Sequence, residues 1–154
     1  MAGAEGMSDA EARADAAPAF VVDASVSAAW LLPDEATAAT EAALQATATS
    51  DVWVPALWLV DTGNLLRGAH RRRRIDAAKR AELAAIADTL RLRIDREPVA
   101  ITSLDEVSAT YGLSVYDAAY LELALRRKLP LASCDAALLA AMVAAGIVSP
   151  TWAD

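Results

Sequence analysis

The chain has 154 residues, of which 56% are hydrophobic, so its length and composition predict a single domain around one core. One cysteine, Cys134, excludes an internal disulfide, and with His70 as the single histidine a Cys/His zinc site is excluded as well. The formal net charge of −7 argues against a protein that coats nucleic acid non-specifically.

The two ends of the chain carry no targeting or membrane signal. Residues 1–18 are rich in alanine and acids, which predicts a disordered acidic tail ahead of a domain over 19–150. The tail lacks a basic, apolar leader, so a cytoplasmic location is expected. Residues 136–153 are uncharged, but Gly146 and Pro150 interrupt them. They predict a buried helix followed by a short strand instead of a membrane span.

Between the ends, short β-branched runs alternate with stretches of helical spacing. The predicted strands lie at 19–22, 52–54, 92–94 and 129–132. The predicted helices lie at 25–32, 34–47, 56–72, 76–90, 102–111, 114–127 and 136–145. This alternation predicts an α/β fold with a mostly parallel central sheet between helical layers. Because the chain has no GxGxxG or GxxxxGK[ST] motif, nucleotide-binding loops are excluded.

Three aspartates lie at the ends of predicted strands or at the start of a helix. Asp23 ends the first strand, Asp135 follows the fourth, and Asp117 lies in the first turn of the helix that opens at Ser114. Ligands of open parallel sheets collect at the carboxyl ends of the strands, so these positions suit a functional site. Each aspartate also has a structural explanation. Asp23 and Asp135 fit helix N-caps, and Ser114 with Asp117 fits a capping box.

A fourth acid has no capping explanation. Asp61 opens the sequence DTGN at 61–64, four poor helix formers in the middle of a predicted helix. Helical spacing places Asp61 and Asn64 on one face of a helix that leaves the carboxyl end of the second strand. The structural alternative is a kink or a close helix contact marked by Gly63.

Convergence of these four carboxylates would call for a cation, because like charges repel at close range. Oxygen ligands without nearby His or Cys suit Mg²⁺ or Mn²⁺, which keep several waters and bind phosphate oxygens. Such an ion can polarise a phosphodiester and orient an attacking water. This chemistry needs no side-chain nucleophile. Cys134 is therefore expected to be a small buried residue and His70 to be solvated.

Four segments together resemble the motifs of PIN-domain ribonucleases, specifically the VapC toxins of type II VapBC toxin–antitoxin systems. The segments are VVDAS at 21–25, VPALW at 54–58 leading to Asp61 and Asn64, GLSVYDAAYLELA at 112–124, and LPLASCD at 129–135. The resemblance covers roughly residues 20–148, and its third segment is the most specific.

The resemblance implies a three-layer α/β/α sandwich and endonucleolytic cleavage of RNA that depends on Mg²⁺, with Mn²⁺ as a substitute. It also implies a VapB-type antitoxin and a second copy of the chain as partners, and no membrane. Six residues of this chain match the motif positions that carry function. The implied metal ligands are Asp23 and Asp117, the acids that complete the catalytic set are Asp61 and Asp135, and the supporting polar groups are Ser25 and Asn64.

The chain departs from the family pattern at the second acid, which is usually glutamate and is here Asp61, one methylene shorter. Its neighbour Gly63 stands where alanine is common. A shorter reach would put a water between Asp61 and the metal. The departure motivates a second hypothesis, a catalytically weak PIN-like module that acts by binding RNA or an antitoxin.

Half of the positive charge is clustered, since seven of the 14 basic residues lie between Arg67 and Arg80. These residues fit a solvated helix end, a contact with an RNA backbone, or a contact with an acidic antitoxin segment. Arg126, Arg127 and Lys128 are expected at a helix end. The tryptophans are expected mainly in the core, and the apolar helix 25–32 is a candidate partner surface.

The net charge has two local sources. Residues 1–15 contribute −3, the four site aspartates contribute −4, and the rest of the chain is neutral. The acidic balance therefore does not exclude a phosphate-bearing substrate.

Overall fold

A computed structural model describes residues 18–152, and the predicted tail therefore lies, apart from Pro18, outside the described residues. Four strands and seven α-helices follow one another within this range, with a 3₁₀ turn at Pro33–Glu35. The strands are β1 Ala19–Val22, β2 Asp51–Pro55, β3 Leu92–Asp95 and β4 Leu131–Ala132. The helices are α1 Ala24–Leu31, α2 Ala38–Ala46, α3 Leu57–Arg71, α4 Ala77–Thr89, α5 Ile101–Tyr111, α6 Val115–Arg127 and α7 Ala136–Ala145.

The strands form one parallel sheet in the order β3-β2-β1-β4. Val21 pairs with Trp53 of β2 on one side and with Leu131 of β4 on the other. The chain therefore moves outward from β1 through β2 to β3 and then returns to the opposite side of β1. The strand order reverses between β1 and β4, and their carboxyl ends meet at this switch point.

Helices cover the sheet and bury its apolar residues, so the predicted α/β/α sandwich is confirmed. Helix α1 contacts α2, α3 and α4, and α3 contacts α4, while α5, α6 and α7 form a second connected group. The middle of the sheet is fully enclosed, since Val21, Val22, Val52 and Val54 have no exposed surface. Such β-branched runs are typical of parallel strands that are buried on both faces.

Two predicted element boundaries are wrong for local reasons. Residues 34–47 do not form one helix, because Thr37 and Thr40 form a reciprocal capping box that starts α2 at Ala38. The strand predicted over 129–132 is confined to Leu131–Ala132. Lys128 ends α6 in the left-handed conformation, and the N–H of Leu129 bonds back to the carbonyl of Ala124.

The region after α7 contains no strand within residues 147–152, so the short strand predicted there is wrong. A single bond, from the N–H of Leu131 to the carbonyl of Val148, joins this segment to β4 at 3.1 Å. Within residues 18–152 no helix is long and apolar enough to cross a membrane.

The apolar side chains of α1 pack inside the domain. Val26, Ala29 and Leu31 are buried, and the indole of Trp58 donates a hydrogen bond to the hydroxyl of Ser27 at 2.9 Å. The alternative that this helix presents an apolar face to a partner is therefore contradicted. The tryptophans serve the core as predicted: Trp58 is buried, and Trp30, Trp53 and Trp152 are half-buried against it.

Candidate functional site

The acidic residues are carried by elements that meet at the switch point of the sheet. Asp23 follows β1 directly, and Asp135 lies three residues after the end of β4. Asp61 lies in α3, which leaves the carboxyl end of β2, and Asp117 lies in the first turn of α6. Ligand sites of open α/β sheets form at this edge, where the loops from neighbouring strands separate.

Asp23 is a buried carboxylate held by three donors, with 3% of the residue exposed. Its Oδ1 accepts hydrogen bonds from the hydroxyl of Ser25 at 2.6 Å and from the N–H of Val26 at 3.2 Å. Its Oδ2 accepts one from the hydroxyl of Ser133 at 2.7 Å. The predicted N-cap is thus present, but the Ser25 and Ser133 bonds go beyond capping and fix both oxygens.

Burial raises the pKa of Asp23 above its ordinary value of 3.8, and the charge of Asp117 adds to this effect. The bonds from Ser25, Ser133 and Val26 act in the opposite direction without cancelling it. The ionised form of Asp23 is therefore energetically disfavoured unless a positive charge compensates it.

Asp117 is half-buried at the start of α6. The hydroxyl of Ser114 accepts a hydrogen bond from its N–H at 3.2 Å, which is the N-cap half of the predicted capping box. Burial raises the pKa of Asp117, and the charges of Asp135 and Asp61 raise it further, while Ser114 lowers it. Asp117 is thus electrostatically coupled to each of the other three aspartates.

Asp61 is held by a contact with α6. The phenol of Tyr120 donates a hydrogen bond to its Oδ2 at 2.8 Å. The structural alternative at Gly63 finds no support, because a Cβ built there would meet nothing within 4 Å and α3 continues unbroken through it. Asn64, the predicted supporting residue on the same helix, is exposed, and no hydrogen bond joins its side chain to the described residues.

Asp135 and the serines connect the ends of β1 and β4. Oδ1 of Asp135 accepts a hydrogen bond from the N–H of Leu138 at 2.8 Å, so the predicted N-cap is present. Ser133 accepts a bond from the N–H of Asp135 at 3.0 Å while it donates to Asp23. Ser25 likewise accepts the N–H of Cys134 at 3.0 Å. The two serines therefore join the first and fourth motifs across the switch point.

The structure also corrects two expectations about residues outside this acidic set. Cys134 is exposed instead of buried. Partial desolvation of its thiol and the charge of Asp23 nevertheless raise the pKa of Cys134, which disfavours the reactive thiolate. His70 is half-buried, with its Nδ1 2.6 Å from Nη1 of Arg80, instead of freely solvated.

The donor set fits a hard divalent cation that keeps most of its waters. The aspartates offer oxygen ligands alone, and burial together with mutual charge raises the pKa of Asp23 and Asp117, which a cation would relieve. Within residues 18–152, however, no group of three or more Asp, Glu, His or Cys side chains is close enough to enclose a metal ion. An ion here would therefore be held by one or two carboxylates and by water, a coordination that hard divalent cations accept.

Sequence reasoning missed two residues that contact the acidic set. Ser133 precedes Asp135 by two positions, and a hydroxyl beside a strand-end acid was the available signal. Tyr120 gave no comparable signal, since a tyrosine one turn after Asp117 on an apolar helix face is typical of a core residue. Its bond to Asp61 depends on how α3 and α6 pack.

The basic cluster lies away from the aspartates. Arg71 follows Asp61 by ten residues of α3, a distance of about 15 Å along the axis. Arg74 pairs with Asp34 at 2.7 Å and with Glu35 at 3.0 Å. Five arginines of the cluster form no salt bridge within the part of the chain that the structure describes, and these are Arg67, Arg71, Arg72, Arg73 and Arg80.

Arg126 and Arg127 lie in the last turn of α6, as expected, and there they also form an ion-pair cluster. Arg126 and Arg127 both bind Asp95, of whose side chain 3% is exposed, at 2.7 Å and 2.8 Å. The guanidinium of Arg127 also lies over the ring of Trp53, 3.6 Å from its centroid. This cluster fixes the carboxyl end of β3 to α6, the helix that carries Asp117.

An acidic, oxygen-only site at the switch point of a parallel α/β/α fold is typical of hydrolytic nucleases that use divalent metals. The PIN domain family matches residues 20–142, so the chain belongs to the PIN domain family. Membership indicates a nuclease-type function, and PIN domains generally depend on divalent metals. A comparison with curated proteins found no match.

The raised pKa values of Asp23 and Asp117 predict how stability depends on pH. Above pH 3.8 the folded protein binds more protons at these two aspartates than the unfolded chain does. The stability that their protonated forms contribute is therefore lost as pH rises through the raised pKa values. We expect the contribution of Asp23 and Asp117 to the free energy of unfolding of the metal-free protein to increase as pH is lowered toward their raised pKa values.

Urea unfolding followed by tryptophan fluorescence at several pH values measures this dependence. Added Mg²⁺ should weaken it, because a bound cation compensates the same charges. A free energy of unfolding that shows no such gain as pH is lowered toward the raised pKa values would contradict the electrostatic description of the site.

Proposed function

We propose that this protein is the toxin component of a toxin–antitoxin pair, a VapC-type endoribonuclease that hydrolyses RNA phosphodiesters with Mg²⁺, or with Mn²⁺ in its place. The observation that carries the proposal is Asp23, a buried carboxylate whose two oxygens are fixed by Ser25, Ser133 and Val26 and whose pKa is raised by burial and by Asp117. Burying an acid without a basic partner costs stability, which is typical of a functional position.

Asp23 and Asp117 would hold the divalent ion, and Asp61 and Asp135 would complete the acidic pocket. When bound, the ion supplies Lewis-acid polarisation of the phosphodiester and lowers the pKa of a bound water. Ser25 and Ser133 hold the orientation of Asp23 through the hydrogen bonds at 2.6 Å and 2.7 Å. Asp135, close enough to raise the pKa of Asp117, keeps the pocket negative, so an uncompensated phosphate is repelled and a cation is needed.

The arginines at the far end of α3 support RNA as the substrate. A single-stranded backbone that enters the acidic pocket and follows α3 would reach Arg71 about 15 Å beyond Asp61. The acidic C-terminal or linker segment of an antitoxin is the alternative occupant of the same arginines. The VapB-type antitoxin and the homodimer follow from the resemblance of the four motifs, and a cytoplasmic location is part of the same proposal.

A second candidate is favoured by one observation. No three acids within residues 18–152 are close enough to enclose a metal, and Asp61 is shorter than the usual glutamate. The second candidate is therefore a catalytically weak PIN-like module, which would bind RNA or an antitoxin and cleave RNA slowly or not at all.

Metal titration of RNA cleavage separates the two candidates. We expect the purified full chain to cut single-stranded RNA with Mn²⁺ or Mg²⁺ and to lose all cleavage in EDTA, because four carboxylates alone repel the phosphate. Cleavage that persists in EDTA would contradict the proposed metal dependence.

RNA binding without turnover at saturating Mn²⁺ would favour the second candidate instead. In that case the Asp61→Glu variant locates the cause, since restored cleavage would show that the reach of the second acid limits the reaction.

A further inference from the structure

Tyr120 contacts the acidic pocket from inside the fold. It lies on α6 one helical turn after Asp117, and 1% of the residue is exposed. Its phenol donates to Oδ2 of Asp61, on α3, at 2.8 Å. A buried ring therefore fixes one oxygen of a carboxylate that belongs to a different helix.

The carboxylate of Asp61 is held by this bond alone among residues 18–152. Three donors hold Asp23, and the cap bond from Leu138 anchors Asp135. Tyr120 is the one hydrogen-bond donor to the carboxylate of Asp61 among residues 18–152. Asp61 lies in the interior of α3, where no backbone N–H is left over to serve as a cap.

From this geometry we infer that Tyr120 is a positioning residue of the nuclease site: its phenol holds Asp61 by Oδ2 and so leaves Oδ1 to bind a metal-bound water. The inference rests on the proposed function. A carboxylate has two oxygens and about four acceptor positions, so one phenol donor leaves most of its capacity available. Asp61 is one methylene shorter than the glutamate usual in the family. The bond from Tyr120 would compensate for this shorter reach, because it fixes Oδ2 and so holds Oδ1 in one position in the pocket.

The electrostatics of the phenol agree with a donor role. The pKa of Tyr120 is raised far above its ordinary value of 10.0 by burial, then by the bond to Asp61, and then by the charges of Asp61, Asp23 and Asp117. The hydroxyl therefore stays protonated and can only donate to Asp61. The charges of three of the four aspartates act on the phenol of Tyr120, so its hydroxyl lies beside the pocket.

The Tyr120→Phe variant removes the hydroxyl and keeps the buried ring. We expect the affinity of the RNA-free protein for Mn²⁺, measured by electron paramagnetic resonance, to weaken about tenfold, which is the lower end of the loss caused by removing an outer-shell partner of a metal site. We expect kcat for RNA cleavage to fall by a similar factor with KM unchanged. Tyr111→Phe, the same change at a half-buried tyrosine of α5, is the matched control and should change neither quantity.

A second background tests that Tyr120 acts through Asp61. In Asp61→Asn protein, adding Tyr120→Phe should change Mn²⁺ affinity and kcat less than twofold, because the carboxylate that the phenol positions is already lost. Equal losses in both backgrounds would overturn the inference. So would a Tyr120→Phe variant with lower thermal stability but wild-type Mn²⁺ affinity and kcat.

A third measurement needs no variant and holds even if Tyr120→Phe does not fold. The hydroxyl proton of Tyr120 should give a slowly exchanging resonance in the proton NMR spectrum, and saturating Mg²⁺ should shift it, since Asp61 then faces a cation. A resonance that Mg²⁺ leaves unmoved would overturn the inference. Wild-type protein that neither binds Mn²⁺ nor cuts RNA would overturn the proposed function itself, and this inference with it.

Discussion

Replacing Asp23 with asparagine should reduce RNA cleavage by at least about 10³-fold, because several kcal/mol of transition-state stabilisation depend on the cation that this carboxylate helps to hold. The fold should survive the change. Asparagine keeps an acceptor for Ser25 and Val26, and it removes a buried charge whose pKa is already raised. The free energy of unfolding at pH 7 is therefore expected to stay the same or to increase.

Steady-state cleavage of a fluorescent single-stranded RNA and urea unfolding measure both effects on the same preparation. Asp88→Asn is the matched control, since Asp88 is an exposed aspartate of α4 and far from the switch point in the chain. Full activity of the Asp23→Asn protein would contradict the assignment of Asp23 to the nuclease site. A large loss of stability would show that the carboxylate has a structural role instead.

The largest effect on stability is expected at Asp95. Asp95→Asn should lower the free energy of unfolding by about 3 kcal/mol, because it leaves two arginines facing a neutral amide at a position with 3% exposure. Burial alone would raise the pKa of Asp95, but the bonds from Arg126 and Arg127 outweigh burial and lower it below 3.8. The stabilisation is therefore present at neutral pH and lost as pH falls through the lowered pKa.

Glu97→Ala provides the matched control for this change. Glu97 binds the same two arginines, but 62% of its side chain is exposed, so its loss should cost less than about 1 kcal/mol. Urea unfolding at pH 7 compares the two variants directly. Equal costs would mean that burial of Asp95 adds nothing to the ion pairs.

Because this cluster joins β3 to α6, it also bears on the site. The first turn of α6 carries Asp117, and its second turn carries Tyr120. The expected loss of stability in Asp95→Asn protein would therefore loosen the helix that brings these two residues to the pocket, and cleavage should weaken most near the unfolding temperature.

The order and type of most elements could be predicted from local sequence. Caps at Asp23, Ser114 and Asp135 begin three of the helices as the cap residues predict. Where local signals competed, the prediction failed, as at Thr37, whose capping box divides residues 34–47. A cap acts within one helical turn, so a helix boundary depends on which local hydrogen bond forms.

By itself the sequence determined the parallel α/β class and the positions of four acids, because strands that alternate with helices bring every strand's carboxyl end to one edge. Only the tertiary structure decided how those acids are held. Ser133 reaches Asp23 across 110 positions, and Tyr120 reaches Asp61 across 59. Contacts of that range depend on the register of β1 with β4 and on the packing of α3 against α6, which no local pattern of residues encodes.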